Sequence, residues 1–158
     1  MITLEVIDEF SPLKEVVLGT SESLGGIPKM EDIYDPKTLI NVKKGTFPSE
    51  VAIKNELDAF HNILTKYDVR VHRPVVFNSL NQIFTRDIGI VIGDQFLLPK
   101  ILDKRSREQK GIQFIIDQLD ANKLIKVEGS ARLEGGDVMP HRNFLFVGYS
   151  KKEDFDNY

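Results

Sequence analysis

Carboxylate side chains occur at two places where the sequence predicts the start of a β-hairpin. Asp87 ends the polar and aromatic segment 81–87, and Glu134 and Asp137 lie in the segment 133–137, with Asp137 50 positions after Asp87. Carboxylates can grip a planar guanidinium through two parallel hydrogen bonds, bind a metal ion, or act as a general acid or base. If the two hairpins are equivalent units around an axis, their strand starts converge. Asp87 and either Glu134 or Asp137 are therefore expected to face a common cavity.

A glycine pair, Gly135 and Gly136, directly follows Glu134. Such a pair lets backbone or a ligand approach where a Cβ would collide, so a structural role at the site is predicted for both glycines. The residue chemistry also leaves a plainer interpretation open. In that interpretation the carboxylates of Asp87 and Glu134, with the neighbouring Arg86, only form internal salt bridges or turn caps.

The three histidines carry no comparable signal. His61 flanks the apolar stripe of a predicted helix, His72 ends a predicted strand, and His141 lies in a predicted turn. None has a partner at the sequence spacing of a zinc site, so no metal is predicted. The segment 89–93 is strand-like and lacks the Lys-Ser/Thr pair of a phosphate loop, and no cofactor is predicted either.

Composition places the chain among globular proteins with one domain. It has 158 residues and 18.0 kDa, with 41% hydrophobic and 28% charged residues, which suffices for a buried core. The net charge of −3 argues against nucleic acid or an anionic membrane as a partner. The apolar runs are too short to span a bilayer, and the first ten residues lack a basic leader, so a cytoplasmic location is expected. The absence of cysteine excludes disulfides, thiolate metal sites and a cysteine nucleophile within this chain.

The first half of the chain predicts a strand, a long irregular segment, a helix and a second strand. The strand covers 13–19, and the segment 20–48, with three prolines, is predicted to be a loop or lid. Ser49 is the predicted cap of a helix with its apolar residues at three- and four-residue spacing. A strand follows at 69–71.

The second half predicts a repeated order of elements. A hairpin covers 88–98, a helix opened by Ser106 carries an apolar face, and a strand covers 124–127; a further hairpin starts at Asp137. The recurring strand–strand–helix–strand order indicates a repeat architecture. We therefore expect one partial α/β domain over residues 1–158, with about two and a half ββαβ units at 11–74, 75–128 and 129–158. The last unit lacks a helix, and residues 150–158 are interpreted as the entry to one.

Several motifs resemble the pentein superfamily of guanidine-modifying enzymes, which includes arginine deiminases, dimethylarginine hydrolases and glycine amidinotransferases. They run in family order over nearly the whole chain. The motifs are Ser11-Pro12-Leu13-Lys14-Glu15-Val16-Val17-Leu18-Gly19, Val69-Arg70-Val71-His72-Arg73-Pro74, Phe84-Thr85-Arg86-Asp87-Ile88, Gly93, Arg105-Ser106-Arg107 and Leu133-Glu134-Gly135-Gly136-Asp137. The Phe-Thr-Arg-Asp and Glu-Gly-Gly-Asp segments look like those of arginine deiminases. The segments 12–19, 86–93 and 105–107 look like those of amidinotransferases.

This resemblance implies a five-bladed α/β propeller of ββαβ units with its active site on the central axis. It further implies a role for each matching residue. Asp87 would grip the substrate guanidinium, and Glu134 would orient the catalytic histidine. The implied substrate-binding residues are Phe84 beside the substrate, Asn81 at its amino-acid end, and Arg105 or Arg107 on its carboxylate.

The chain departs from the family in its nucleophile. The family's histidine and cysteine lie well beyond the Glu-Gly-Gly-Asp segment, and this chain has no cysteine. The sequence thus predicts the N-terminal part of an amidinotransferase-type enzyme acting on arginine-like substrates through a covalent amidino-cysteine intermediate, inactive on its own. Alternatives are a deiminase or dimethylargininase-type hydrolase, and a non-catalytic guanidine-binding or assembly module that self-associates through an exposed unit edge. A metal-dependent hydrolase using Asp87, Glu134 and Asp137 is a further alternative.

Overall fold

The computed structural model describes residues 2–22, 24–33 and 35–149, which form three small sheets with helices packed against them. In chain order the strands and α-helices are β1 (Glu15–Val17), α1 (Pro36–Lys44), α2 (Glu50–Lys66), β2 (Arg70–His72), α3 (Thr85–Ile88), β3 (Ile90–Ile92), β4 (Gln95–Leu98), α4 (Gln113–Ile116), β5 (Leu124–Lys126), β6 (Val138–His141) and β7 (Phe144–Val147). Short 3₁₀ helices cover Met30–Asp32, Asp103–Ile112, Ala121–Lys123 and Gly135–Asp137. The predicted α/β class is confirmed, and the propeller arrangement stays a prediction.

The three sheets follow one another along the chain, and the predicted division into units at 11–74, 75–128 and 129–158 stays a prediction. β1 pairs in parallel with β2, and α2 connects to β2. β4 lies between β3, to which it is antiparallel, and β5, to which it is parallel. The sheet β3–β4–β5 with α4 therefore has the strand–strand–helix–strand order that the sequence predicts. β6 and β7 form an antiparallel hairpin, and residues 150–158, where a helix entry was predicted, lie outside the described residues.

Three helices differ from the prediction. Residues 85–88 form α3, so Asp87 lies on a helical turn and not at a strand start. The hairpin begins at Ile90 and not at Ile88.

The segment 20–48 contains α1, whose N-cap Asp35 accepts a hydrogen bond from the Thr38 amide at 2.6 Å and which ends at Gly45 with φ of 67°. Aspartate before proline and glycine after the last turn are helix-end signals that outweigh the weak periodicity of this segment. Whether the segment acts as a lid stays a prediction.

The helix predicted to open at Ser106 instead begins at Asp103 as a 3₁₀ helix and becomes α-helical only from Gln113. The Ser106 hydroxyl donates to the Asp103 carbonyl at 2.7 Å and caps nothing. A 3₁₀ helix repeats every three residues, so Arg105, Glu108 and Gly111 share one side, and all three are buried.

The main core lies between the β3–β4–β5 sheet and the helical segment before β5. Its buried members are Leu4, Ile88, Phe96, Ile101, Ile112 and Ile116. A smaller core of Leu18, Leu64 and Val69 joins α2 to the β1–β2 sheet. Among the described residues, no helix combines the length and the apolar character that a bilayer crossing requires.

Ile88 follows Asp87 directly in the chain, and its side chain, which is only 1% exposed, lies in this core. Ile88→Ala removes buried methyl and methylene groups and should lower the free energy of unfolding by about 2–5 kcal/mol. Urea unfolding followed by circular dichroism measures this change. Ile63→Ala makes the same truncation at a side chain 54% exposed and should change the free energy by less than about 0.5 kcal/mol. Equal effects of the two substitutions would contradict the assigned core.

Candidate functional site

Asp87 lies on the one-turn helix α3, which is fixed from both of its ends. The Thr85 hydroxyl, at the first position, donates to the Val17 carbonyl of β1 at 2.8 Å. Ile88, at the last position, is buried in the main core. These two contacts fix the position of the backbone at Asp87. The Asp87 side chain is 20% exposed.

Glu134 immediately precedes the 3₁₀ turn Gly135–Asp137, which packs directly on α3. A Cβ at position 135 would collide with the Arg86 carbonyl oxygen, and a Cβ at position 136 would lie 2.6 Å from Oδ1 of Asp87. Glycine is required at position 135, where the obstacle is backbone, and a side chain at position 136 would displace the Asp87 carboxylate. The glycine pair thus brings Glu134 next to Asp87.

A single guanidinium joins these two carboxylates to a third. Nη1 of Arg105 lies 3.0 Å from Oδ2 of Asp87 and 2.9 Å from Oε1 of Glu134. On its other side, Nε and Nη2 of Arg105 donate to the two oxygens of Glu108, both at 2.9 Å. We call Asp87, Arg105, Glu108 and Glu134 the carboxylate cage.

The side chains of the carboxylate cage range from buried to partly exposed. The side chains of Arg105 and Glu108 are 5% and 3% exposed, whereas that of Glu134 is 31% exposed. Glu108 therefore forms the buried end, Arg105 the middle, and Asp87 with Glu134 the end that reaches solvent. With every carboxyl ionised, three negative charges surround one positive charge. The solvent-facing end is thus suited to receive a further cation.

Burial raises the pKa of the Glu108 carboxyl above its ordinary value of 4.5, and the charges of Asp87 and Glu134 act in the same direction. The Arg105 guanidinium opposes this rise without cancelling it. Burial is therefore the main reason that Glu108 gives up its proton less readily, and the excess of carboxylates over cations adds to it.

The structure brings some of the sequence-predicted site residues together and not others. Asp87, Glu134, Arg105, Gly135 and Gly136 meet at the carboxylate cage. Their roles toward a substrate stay predictions.

Four other predicted site residues lie around the cage or at the surface. Phe84, the residue before α3, is 56% exposed, and Oδ1 of Asn81 accepts from the Ile83 amide at 3.2 Å. The side chains of Arg107 and Asp137 are exposed. Neither forms an ion pair with another described residue.

The predicted role of Arg105 on a substrate carboxylate stays a prediction, but the structure shows that the protein's own acids surround this residue. Its guanidinium is buried and held by three carboxylates of the protein. A cation in this position orients acids, and a substrate anion would have to displace one of them. Arg107, two residues later and exposed, keeps a guanidinium at the surface.

Sequence reasoning missed Glu108, Gln82 and Glu9. The Arg105-x-x-Glu108 spacing is a visible signal for an intrahelical pair. Gln82 is 2% exposed, and its side-chain amide accepts from the Phe77 amide and donates to the Val75 carbonyl, each at 2.8 Å. No sequence pattern marks such a buried amide.

Glu9 forms a bidentate ion pair with Arg86, with distances of 2.9 and 2.8 Å. Arg86 also donates to the carbonyls of Gly135 and Val138 at 3.3 and 2.8 Å. The N-terminal segment, α3 and the turn before β6 are therefore connected by one side chain. The plainer interpretation of Arg86 as an ion-pairing residue describes its contacts, with Glu9 as the acid.

Two cavities lie elsewhere among the described residues. One of about 290 Å³ lies between α2 and the segments that follow β1 and β2, and one of about 250 Å³ lies between the N-terminal segment and the β6–β7 hairpin. Neither is lined by Asp87 or Glu134. Within the described ranges, no group of three or more histidine or acidic side chains is arranged to hold a metal ion.

Arg105→Met tests whether the guanidinium holds the cage together. Removing the cation leaves three partly or fully buried carboxylates without their partner, which should lower the free energy of unfolding by about 3–5 kcal/mol at neutral pH. Arg107→Met, the same change at an exposed position, should lower it by less than about 0.5 kcal/mol. Guanidinium chloride unfolding measures both variants, and an unaffected Arg105→Met would rule out the cage.

Glu108→Gln tests the raised pKa of Glu108. In the folded chain the carboxyl keeps its proton above pH 4.5, the ordinary pKa, so the unfolded state ionises first as the pH rises. The stability that this group contributes is present below pH 4.5 and is lost as the pH rises through the folded pKa. Glutamine cannot ionise. The free energy of unfolding of the variant minus that of the unmodified chain should therefore increase from pH 4.5 toward neutrality in urea titrations. A constant or decreasing difference would contradict the assignment.

Comparisons with known proteins give no match to a family model and none to a curated protein sequence. Solved structures do match. A dimethylarginine dimethylaminohydrolase variant, crystallised as an adduct with S-methyl-L-thiocitrulline, has a TM-score of 0.66 at 15% identity, with 88% of this chain and 51% of that chain covered.

Two amidinotransferases match with somewhat lower TM-scores. Inosamine-phosphate amidinotransferase from Streptomyces griseus has a TM-score of 0.60 at 16% identity, covering 87% of this chain and 52% of that chain. An amidinotransferase of the saxitoxin biosynthetic pathway from Microseira wollei has a TM-score of 0.59 at 19% identity, covering 87% and 54%. This chain spans about half the length of each of these enzymes, and over that half it shares their fold.

Proposed function

We propose that this chain supplies the guanidinium-binding part of a guanidine-modifying enzyme, of the amidinotransferase type, that acts on arginine-like substrates. The observation that carries the proposal is the convergence of Asp87 and Glu134, from distant parts of the chain, at the solvent-facing end of the carboxylate cage. The pentein fold and the amidinotransferases among its structural neighbours support this choice.

The charge balance of the cage supports a guanidinium as the ligand. Asp87 and Glu134 each contact Arg105 through one named oxygen, Oδ2 and Oε1 respectively. A carboxylate has two oxygens and about four acceptor positions, so each has further acceptor capacity. A planar cation with forked donors fits such acids better than a spherical ammonium does, because it can make two parallel hydrogen bonds to one carboxylate.

Chemistry at the bound guanidinium requires groups that this sequence does not contain. In the proposed mechanism a cysteine attacks the amidine carbon, an amine leaves, and the covalent amidino-cysteine is resolved by an acceptor amine or by water. The chain has no cysteine, so the nucleophile and its histidine come from outside these 158 residues. We propose that Asp87 grips the guanidinium, that Glu134 orients that histidine, and that Asn81, Phe84 and Arg107 line the substrate path.

A second candidate is an amidine hydrolase. The dimethylarginine dimethylaminohydrolase has a TM-score of 0.66, against 0.60 and 0.59 for the two amidinotransferases. Transfer and hydrolysis differ only in whether an amine or water resolves the intermediate, and both need the same grip on the guanidinium. A non-catalytic guanidine-binding module would also use this grip, and the lack of a cysteine favours binding without turnover. The propeller arrangement of the units, the cytoplasmic location and the absence of a cofactor remain predictions from the sequence.

Arginine binding to the 158-residue chain tests the proposal. Titration followed by NMR should show saturable shifts for arginine, with lysine binding more weakly because its ammonium lacks the planar fork. Asp87→Asn removes a charge-assisted interaction worth about 1.5–3 kcal/mol and should weaken arginine binding roughly 10- to 100-fold. Asp94→Asn, at an aspartate 70% exposed in the β3–β4 turn, is the matched control and should leave binding unchanged.

The same samples should produce no citrulline, urea or ornithine from arginine, with or without a glycine-like acceptor. Turnover by the isolated chain would show that its chemistry needs no cysteine and would overturn the proposed mechanism. Absence of arginine binding, or equal binding by Asp87→Asn, would overturn the proposed site.

A further inference from the structure

The guanidinium of Arg105 belongs to the same chemical class as the ligand proposed for the carboxylate cage. Nη1 of Arg105 donates a hydrogen bond to Oδ2 of Asp87 at 3.0 Å. A guanidinium can instead place two nitrogens against both oxygens of one carboxylate, a fork that binds more strongly than one hydrogen bond. A fork of Arg105 on Asp87 would occupy both oxygens of that acid, and a ligand would have to break it before binding.

Glu108 determines which nitrogens of Arg105 face the other acids. Nε and Nη2 of Arg105 donate to Oε1 and Oε2 of Glu108, both at 2.9 Å. These two parallel hydrogen bonds fix the plane and the direction of the guanidinium. In this orientation Asp87 and Glu134 both meet the same nitrogen, Nη1. The Nε–Nη2 pair, which could form a fork on either of them, is held by Glu108.

The backbone around Glu108 is placed to hold this orientation. Arg105 and Glu108 are three residues apart in their 3₁₀ helix, whose three-residue repeat puts them on one side. The next residue, Gln109, donates from its side-chain amide to the carbonyls of Pro99 at 2.8 Å and Ile88 at 3.3 Å. The helix is thereby fastened to the end of β4 and to α3. The Glu108 side chain is 3% exposed, so little water competes for its two oxygens.

We propose that Glu108 is a positioning residue of the guanidinium site and acts through Arg105. By holding Nε and Nη2, Glu108 keeps the protein's own guanidinium from closing a fork on Asp87 or Glu134, and these acids keep acceptors for the ligand. This inference rests on the proposed function, since it concerns the same two acids. Without Glu108, Arg105 becomes a competitor of the ligand that is tethered at the site.

Stability of the fold does not explain a carboxylate at position 108. The charged groups that act on Glu108 are Arg105, Asp87 and Glu134, and burial with the two acids raises its pKa. A raised pKa means that the ionised form is less favourable in the folded state than in the unfolded state. A neutral amide of the same shape would avoid this penalty. Only the ionised carboxylate offers two equivalent acceptors to the paired donors of Arg105.

Glu108→Gln tests the role, because glutamine has a single carbonyl oxygen and cannot accept from both Nε and Nη2 of Arg105. Arginine titrations followed by NMR should show binding weakened by about ten-fold or more, since the ligand must first displace a charge-assisted hydrogen bond of Arg105. Glu56→Gln makes the same change at an exposed glutamate of α2 and should leave binding unchanged.

The pH dependence separates positioning from a purely structural role. Protonation turns one oxygen of Glu108 into a donor, so the affinity of the unmodified chain divided by that of Glu108→Gln should increase from pH 4.5 through the folded pKa. Protons taken up by Asp87 or Glu134 affect both chains alike. Over the same range the free energy of unfolding changes in favour of the variant. A purely structural residue would change binding and stability in the same direction.

Arg105→Lys tests whether Glu108 acts through Arg105. An ammonium has one nitrogen and cannot form a fork, so adding Glu108→Gln to Arg105→Lys should leave arginine binding unchanged. A loss of about ten-fold that persists in this background would overturn the role, because independent effects simply add.

Should these variants fail to fold by circular dichroism, the unmodified chain itself decides. The Nε–H resonance of Arg105 should stay protected from exchange with water when arginine saturates the site, because Glu108 holds that proton throughout. Loss of the protection on binding would overturn the role. Absence of arginine binding to the unmodified chain would overturn the proposed function together with this inference. Binding that Glu108→Gln leaves unchanged would overturn the inference alone.

Discussion

A buried arginine imposes the main constraint on this structure. A guanidinium that is 5% exposed must have its charge and its donors satisfied by the protein. Arg105 meets this requirement with Glu108 from its own 3₁₀ helix, Asp87 from α3 and Glu134 from the turn before β6. Three segments far apart in the chain are thereby required to converge on one cation. The remaining packing, including the glycine pair after Glu134, allows that convergence.

Local patterns in the sequence predict much of the fold. The two hairpins and the helix capped by Ser49, whose hydroxyl accepts from the Ala52 amide at 3.1 Å, follow from turn residues, alternation and capping. The helix predicted at Ser106 is wrong in type and start. A capping pattern competes there with the three-residue spacing that directs Arg105 and Glu108 to the same side, and only tertiary contacts decide between the two.

The candidate site is predictable in its members and less so in their partners. Residue type and equivalent positions in two hairpins suggest Asp87 and Glu134, which lie at one guanidinium in the structure. The sequence does not indicate that this guanidinium belongs to the protein, because the pattern around Arg105 is equally consistent with a surface residue or a substrate-binding residue. Glu9 and Gln82 act through contacts over long sequence distances or with backbone groups, which leave no local pattern. At 15–19% identity to the solved enzymes, the fold is shared while most of the side chains that fill it differ.

α3 has a single turn, and its two central residues connect to different parts of the molecule. Arg86 binds Glu9 in the N-terminal segment, while Asp87 binds Arg105 in the cage. A displacement of the first ten residues is therefore transmitted across one peptide unit to the acid proposed to grip a substrate. An affinity tag or fusion partner attached at the amino end would therefore lie close in the chain to a segment that contacts the neighbour of this acid, and could disturb it. Reporter groups that must leave the acid undisturbed belong on α2, on the exposed side that carries Ile63.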